Sequence, residues 1–247
     1  MSDAPARGRA FVGTSGFSYA DWAPTFYPRG LKAAGLLPHY AGRLAAVELN
    51  NTFYASPTEA KIAGWVAATP PDFRFAVKAQ RGGAWRATRA ADPAESVAWL
   101  TGPYRHFGER LGCVLLRVDA SVQRDDAALE RLLSAWPRDI PVAFELQHAS
   151  WEMDEVHALL RSAGAALVAT DIDDEDEAVL RRIGSFLYLR LRRTTITEAD
   201  VAAWAARLDP FLGDGMDAYV FLRHDADGTN AVLAERLAAA LAGPRSG

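Results

Sequence analysis

Six ionisable side chains stand inside or just after short apolar runs of this chain: Glu48, Lys78, Arg117, Glu145, Asp171 and Arg190. A charge set in an apolar run loses hydration on folding and needs a partner of opposite sign or a ligand. Glu48, Lys78, Glu145 and Asp171 are types that move protons, because neighbours shift their pKa towards the working pH. Lys78 can lower the pKa of a nearby carboxyl, act as a base once desolvated, or bind an anion. Arg117, Arg190 and Arg192 carry forks that match phosphate or carboxylate, and Arg193 and Arg223 extend that basic cluster. Together these residues predict acid–base chemistry on an anionic, phosphate-bearing substrate. The competing expectation is an ion network that only plugs the fold.

Further residues qualify as substrate contacts. Tyr19, Trp22, Tyr54 and Trp151 offer rings for stacking, or else packing for long loops. Ser15, Asn50 and His148 offer hydrogen bonds. Gly13–Thr14–Ser15–Gly16 could present backbone N–H groups to an anion, although a tight turn explains the same glycines. That loop is too short for a phosphate loop and lacks its lysine. His148, Asp171, Glu145 and His224 do not have the spacing of a compact metal motif, so neither a metal nor a cofactor is expected. The acidic run 171–177 suits a helix N-terminus, and residues 225–228 resemble a calcium loop only superficially.

The elements that position these residues follow from eight apolar runs, at 11–14, 45–49, 73–77, 113–118, 142–146, 165–169, 186–191 and 219–222. Amphipathic stretches separate them. Eight strand–helix repeats predict an α/β fold, a single (β/α)8 TIM-type barrel with its active site at the C-terminal ends of the strands. Strand alternation puts Val47 and Leu49 towards helices and Glu48 and Asn50 inward. The same parity turns Lys78, Arg117, Glu145 and Arg190 to the barrel axis. Helices are expected at 31–43, 57–67, 92–109, 125–136, 152–163, 175–182, a seventh opened by a Thr195/Glu198 capping box, and 229–241. Residues 80–91, with Gly82, Gly83, Trp85 and three arginines, read as a long loop on the catalytic face, either a lid or substrate-binding loop or a variable surface segment.

The chain has 247 residues, half of them apolar, with a net charge of −4. That length suits one barrel over residues 10–242, with flexible tails at 1–9 and 243–247. The negative charge argues against a global polyanion binder and leaves room for a local basic patch. The single cysteine, Cys113, reads as a buried hydrophobe without a disulfide framework. Neither a leader nor a membrane-spanning stretch stands out, so a cytoplasmic protein with no membrane partner is expected. The abundant Ala and Arg are of a bacterial type of composition.

Val12–Gly–Thr–Ser–Gly–Phe–Ser–Tyr19, Trp22 and Phe26–Tyr–Pro28 resemble the opening of the DUF72 (YecE-like) family. Val47–Glu–Leu–Asn–Asn–Thr–Phe–Tyr54, Trp65, Phe73–Arg–Phe75 and Lys78 continue the resemblance, as do Glu145, His148, Ser150 and Trp151. The resemblance implies a TIM-type barrel and no established activity. The second half departs from the family pattern at Arg117–Val–Asp119, Gln147, Arg190–Leu–Arg–Arg193 and Arg223–His224. Two rivals to the enzyme reading follow. One is a nucleic-acid-binding or processing protein, with arginines and interleaved aromatics along a phosphodiester. The other is a non-catalytic barrel used for binding or as a scaffold. Substrate, reaction and oligomeric state do not follow from the residues.

Overall fold

The eight apolar runs form strands β1 (Ala10–Thr14), β2 (Ala46–Leu49), β3 (Arg74–Lys78), β4 (Leu111–Val118), β5 (Val142–Leu146), β6 (Ala166–Asp171), β7 (Phe186–Leu191) and β8 (Asp217–Leu222). The structure is a computed structural model and describes residues 6–242. The helices are α1 (Ala33–Ala41), α2 (Glu59–Ala67), α3 (Arg81–Arg89), α4 (Ala94–Thr101), α5 (Asp126–Ala135), α6 (Asp154–Ala163), α7 (Glu198–Gly213) and α8 (Thr229–Leu241). The sheet order is β1-β8-β7-β6-β5-β4-β3-β2. First and last strands pair in parallel, with Phe11 opposite Tyr219 and Thr14 opposite Leu222. This is the (β/α)8 TIM-type fold that the eight repeats predict. Among the described residues no helix is long and apolar enough to cross a membrane.

Contacts divide the chain into two compact units. The first holds residues up to 47, 169–180 and from 186 onward; the second holds 48–168 and 181–185.

In the first unit β1, β7 and β8 run side by side, with Arg190 opposite Phe221. Trp22, Phe26, Tyr27 and Tyr40 are buried together, with Trp22 and Tyr27 stacked 5.9 Å apart. Tyr40 ties two strands: its hydroxyl accepts from Thr14 N–H at 2.8 Å and donates to Ala46 O at 3.0 Å. Gly13 makes that approach possible, since a Cβ there would fall 1.9 Å from Ala46 O. Of the expected tails, residues 1–5 and 243–247 lie outside the described residues. Gly8 N–H donates to Leu212 O at 2.8 Å, and Arg9 N–H to Asp217 Oδ1 at 2.7 Å.

In the second unit β3, β4 and β5 pair in parallel, with Lys78 opposite Leu115 and Arg117 opposite Glu145. Trp65, Phe73, Phe75 and Phe107 fill the space behind them, Phe75 lying 5.0 Å from Phe73 and 5.1 Å from Phe107.

Several expected elements are corrected. Residues 80–91 are not a loop: α3 occupies most of them. Gln80 caps it, its Oε1 accepting from Gly83 N–H at 2.6 Å. Gly83 serves packing rather than flexibility, because a Cβ there would meet Trp99 Cζ3 at 2.6 Å and Leu100 Cδ1 at 2.9 Å. Pro57 lies before the α2 cap, which is Thr58, accepting from Lys61 N–H at 3.3 Å. The helix expected over 92–109 ends at Thr101 and passes into 3-10 turns over Gly102–Arg110, kinked at Gly108 with φ 54°. Pro103, which lacks an N–H, stands at that change. The helix expected over 175–182 does not form. Its acidic start has too few apolar residues for a stripe, and Arg207 instead holds Glu177 and the Ala178 carbonyl. The α7 capping box is Thr197 with Asp200, not Thr195 with Glu198; the Glu198 carboxylate pairs with Arg236.

Candidate functional site

The second unit carries Glu48, Lys78, Arg117 and Glu145 at or near the C-terminal ends of β2 to β5. Glu48, Lys78 and Glu145 are 0%, 7% and 6% exposed. The turn after β2 is pinned to β3, since Thr52 Oγ1 lies 2.7 Å from the carbonyl oxygens of Leu49 and Lys78. That pin sets the Phe53 ring, and Lys78 Nζ stands 4.8 Å from its centroid. Arg117 Nε donates to Gln147 Oε1 at 2.9 Å and stands 3.9 Å from Glu145 Oε2. The Glu48 charge reaches Cys113: burial first, and this carboxylate second, push the thiol pKa well up and keep it protonated.

Phe53 and Arg117 open onto a cavity of ≈400 Å³. Its basic wall comes from Arg81, Arg89 and Arg117, and Trp85 adds a second ring. Arg81, Trp85 and Arg89 are four residues apart on α3 and therefore share one helix face. The opposite face, with Gly83, Ala84 and Ala87, is buried. Arg89 lies over Trp85 at 4.6 Å. Asp119 is the acidic group of the wall. A hydrogen bond from Ser121 N–H, with Arg117 and Arg89 nearby, holds it below the usual carboxylate range.

The other candidates of this unit lie around β5. His148 Nδ1 accepts from Ser150 N–H at 3.1 Å, leaving Nε2 to carry the proton of the neutral ring. Trp151 is buried and donates to Val122 O at 2.9 Å, so it braces the loop after β4. Asn50 is half-buried, and Tyr54 is 77% exposed.

In the first unit the candidates are tied to one another and to backbone. Both Asp171 oxygens accept from Arg193 Nε at 2.9 Å, and Asp171 O accepts from Arg192 N–H at 2.6 Å. Arg190 is buried on β7. Arg192 Nη1 lies 3.5 Å from Ser15 Oγ. In the Gly13–Gly16 loop, Thr14 N–H is used by Tyr40 and Ser15 N–H by Leu222 O, as in a packed turn. Tyr19 donates to Ser15 O at 3.0 Å and stacks on His224 at 4.8 Å. Trp22 is buried, with its indole N–H on Asp225 O at 3.0 Å. Arg223 Nη1 donates to Thr194 Oγ1 at 3.4 Å. Partial burial, with Arg192 and Arg223 nearby, pushes the His224 pKa down. Asp225 accepts from the N–H groups of Gly228 and Asn230 at 3.0 and 2.7 Å, which makes residues 225–228 a cap for α8. Among the described residues no three His, Cys, Asp or Glu side chains are grouped to hold a metal.

Sequence reasoning on strand ends does not reach Arg81, Trp85 and Arg89, which belong to the segment read as a lid, substrate-binding or surface loop and lie on a helix instead. The signal that finds them is the four-residue spacing within 80–91, which is helical rather than loop-like.

A family model described as a protein of unknown function, DUF72, matches residues 11–246. The "UPF0759 protein YunF" of Bacillus subtilis is 29% identical over 150 residues, 57% of this chain and 51% of that protein. The chain therefore spans about half the length of the curated relative it matches. A crystal structure of a DUF72 family protein from Thermotoga maritima is similar with TM-score 0.78 and 26% identity, over 95% of this chain and 99% of that one. Another, from Enterococcus faecalis, has TM-score 0.73 and 17% identity over 96% and 97%, a likeness of fold alone.

Proposed function

The chain belongs to the DUF72 family, and from that premise we propose that it is an enzyme acting on an anionic, phosphate-bearing substrate. One observation carries this reading: the cavity of ≈400 Å³ walled by Arg81, Arg89 and Arg117. Three guanidinium groups against a single carboxylate favour an anion, and fork geometry suits phosphate. The substrate anion binds there. Lys78 and Glu145 adjoin this cavity through two of its wall residues, Phe53 and Arg117. With Glu48 they supply the acid and base, and His148 donates from Nε2. Asp171, held by Arg193, positions that arginine instead of moving a proton. We take residues 10–242 as one domain and the protein as cytoplasmic, where a lone buried thiol stays reduced.

The test is calorimetry of the full chain with inorganic phosphate. Wild type should bind, and Arg117→Ala should bind at least tenfold more weakly. Absence of phosphate binding, or equal affinity in the variant, overturns the assignment.

A second reading has its own observation. Trp85 and Trp99 are 57% and 50% exposed, with Arg89 and Arg86 lying over their rings. A single nucleic-acid strand uses such a surface, bases on rings and phosphates on arginines. Binding of oligonucleotides that falls steeply with salt would favour it over a small ligand.

A further inference from the structure

The cavity walled by Arg81, Arg89 and Arg117 also holds groups for which an inorganic anion has little use. Asp119, Ser121 and Thr88 line it beside the arginines, as do the rings of Trp85 and Phe53. Asp119 is ionised at neutral pH: hydrogen bonds from Ser121, backbone first, and the nearby Arg117 and Arg89 hold its carboxyl below the usual range. A negative charge at this place repels phosphate and works against the guanidinium groups. It serves a ligand that brings hydrogen-bond donors along with its anion.

Acceptors for such donors are available. Asp119 Oδ1 accepts from Ser121 N–H at 3.1 Å, whereas Oδ2 stands 3.7 Å from Arg117 Nη2, too far for a hydrogen bond. Thr88 Oγ1 donates its proton to Trp85 O at 3.1 Å, which leaves its lone pairs for an incoming hydroxyl. Trp151 Nε1 holds Val122 O at 2.9 Å, and with the Ser121 bond this fixes the loop that carries Asp119 before a ligand arrives. Trp85 is 57% exposed. Arg89 lies over it at 4.6 Å, so a phosphate held by that guanidinium brings its carbon skeleton alongside the ring. The C–H bonds of a sugar, positive at hydrogen, suit the negative face of an indole. A plain alkyl phosphate would meet the repulsion of Asp119 and leave its acceptors unused, and a neutral sugar would leave the guanidinium groups unused.

Resting on the anion-binding reading above, we propose that the ligand is a sugar or polyol phosphate: a phosphate monoester with hydroxyl groups on its neighbouring carbons. The phosphate meets Arg81, Arg89 and Arg117. The hydroxyls donate to the Asp119 carboxylate and to Thr88 Oγ1. The carbon skeleton lies along Trp85. Asp119 is then a specificity residue, which weakens the binding of bare phosphate and strengthens that of the hydroxylated ester.

The test is calorimetry of the full chain with inorganic phosphate, propyl phosphate, glycerol 3-phosphate and ribose 5-phosphate. Propyl phosphate and glycerol 3-phosphate share one skeleton and differ only in hydroxyls. Glycerol 3-phosphate should bind about tenfold more tightly, the worth of a hydrogen bond to a charged acceptor. Asp119→Ala should abolish that preference and tighten inorganic phosphate about twofold, as the repulsion between exposed charges goes. Trp85→Ala should weaken ribose 5-phosphate about fivefold and inorganic phosphate less. Equal binding of propyl phosphate and glycerol 3-phosphate by wild type overturns the hydroxylated ligand and leaves the anion reading standing. Failure of every phosphate probe overturns the anion reading itself. In a folded Asp119→Ala variant, a preference that persists, or a loss of inorganic phosphate binding, would make Asp119 a brace for Arg117 and overturn its role in specificity.

Discussion

Asp171 and Glu145 end β6 and β5 in much the same way, as a buried carboxylate within or just after an apolar run. Their surroundings differ. Asp171 in the first unit has both oxygens on Arg193 Nε at 2.9 Å. Glu145 in the second unit has Arg117 Nε at 3.9 Å, and that N–H is given to Gln147. The contrast extends across each unit. In the first, Trp22, Tyr19 and Asp225 spend their polar atoms on nearby backbone. In the second, Arg117, Asp119 and the α3 arginines face a cavity. A charged residue at a strand end is therefore no guide to chemistry by itself; what it faces decides whether it braces a loop or meets a ligand.

The largest effect that can break this comparison is at tryptophan. Trp22→Ala should cost about 3–5 kcal/mol, as for other large buried rings. Trp85→Ala should change stability by less than about 0.5 kcal/mol and weaken phosphate-ligand binding. Urea midpoints with calorimetry read both. Equal losses would mean that α3 is as much a part of the core as the turn after β1.

The carboxylates come next. Asp171→Ala should be the more destabilising of the two, because it removes a buried carboxylate held at 2.9 Å, while the partly exposed Arg193 it leaves keeps its water and the loss stays well below that of breaking a fully buried pair. On the proposed acid–base reading, Glu145→Gln should cost about 1 kcal/mol or less and weaken ligand binding or turnover, since groups set for chemistry are held at the expense of stability. A denaturant melt of each settles the order. A Glu145→Gln cost equal to that of Asp171→Ala would turn Glu145 into architecture.

Two glycines sharpen the contrast at smaller scale. Gly13→Ala would place Cβ against the Ala46 carbonyl, which cannot move without its strand, and should cost about 3 kcal/mol or more. Gly83→Ala meets first the exposed Trp99 ring, which can give way, and should cost about 1 kcal/mol. The shift of α3 should register instead as weaker phosphate binding. Reversal of the two costs would show that α3 is held more tightly than the β1–β2 approach.

The smallest effect is a pH slope. Burial and two arginines lower the His224 pKa in the folded chain, whereas the unfolded value is near 6.5. As pH falls through about 6.5 the unfolded chain takes up this proton first, so stability drops and then levels off below the folded value. His224→Gln should flatten that part of the slope in urea melts between pH 5 and 8. An identical slope would release His224 from the Arg192–Arg223 cluster.

Strand positions were legible because a buried parallel strand announces itself locally, and β5 and β7 span the residues their apolar runs predict. Helix α8 was equally plain. Helix α3 was hidden by Gly82 and Gly83, which read as loop until Trp99 and Leu100 are seen against Gly83. The expected sixth helix failed for the opposite reason: a polar run suggested a start, and no apolar stripe followed. At the site, the residue types at strand ends were evident, but the α3 arginines that wall the cavity lie off the strands altogether.

Periodicity over a few neighbouring residues is enough to define the fold class, the eight strands and which strand ends carry charge. Whom those charges meet depends on the folded chain. Asp171 finds Arg193 across 22 residues and Arg117 finds Gln147 across 30, while Arg190, equally basic, is buried on β7. Such pairings are set by strand register and loop path to within an ångström, and a Coulomb or hydrogen-bond energy that falls steeply with distance makes that ångström decisive.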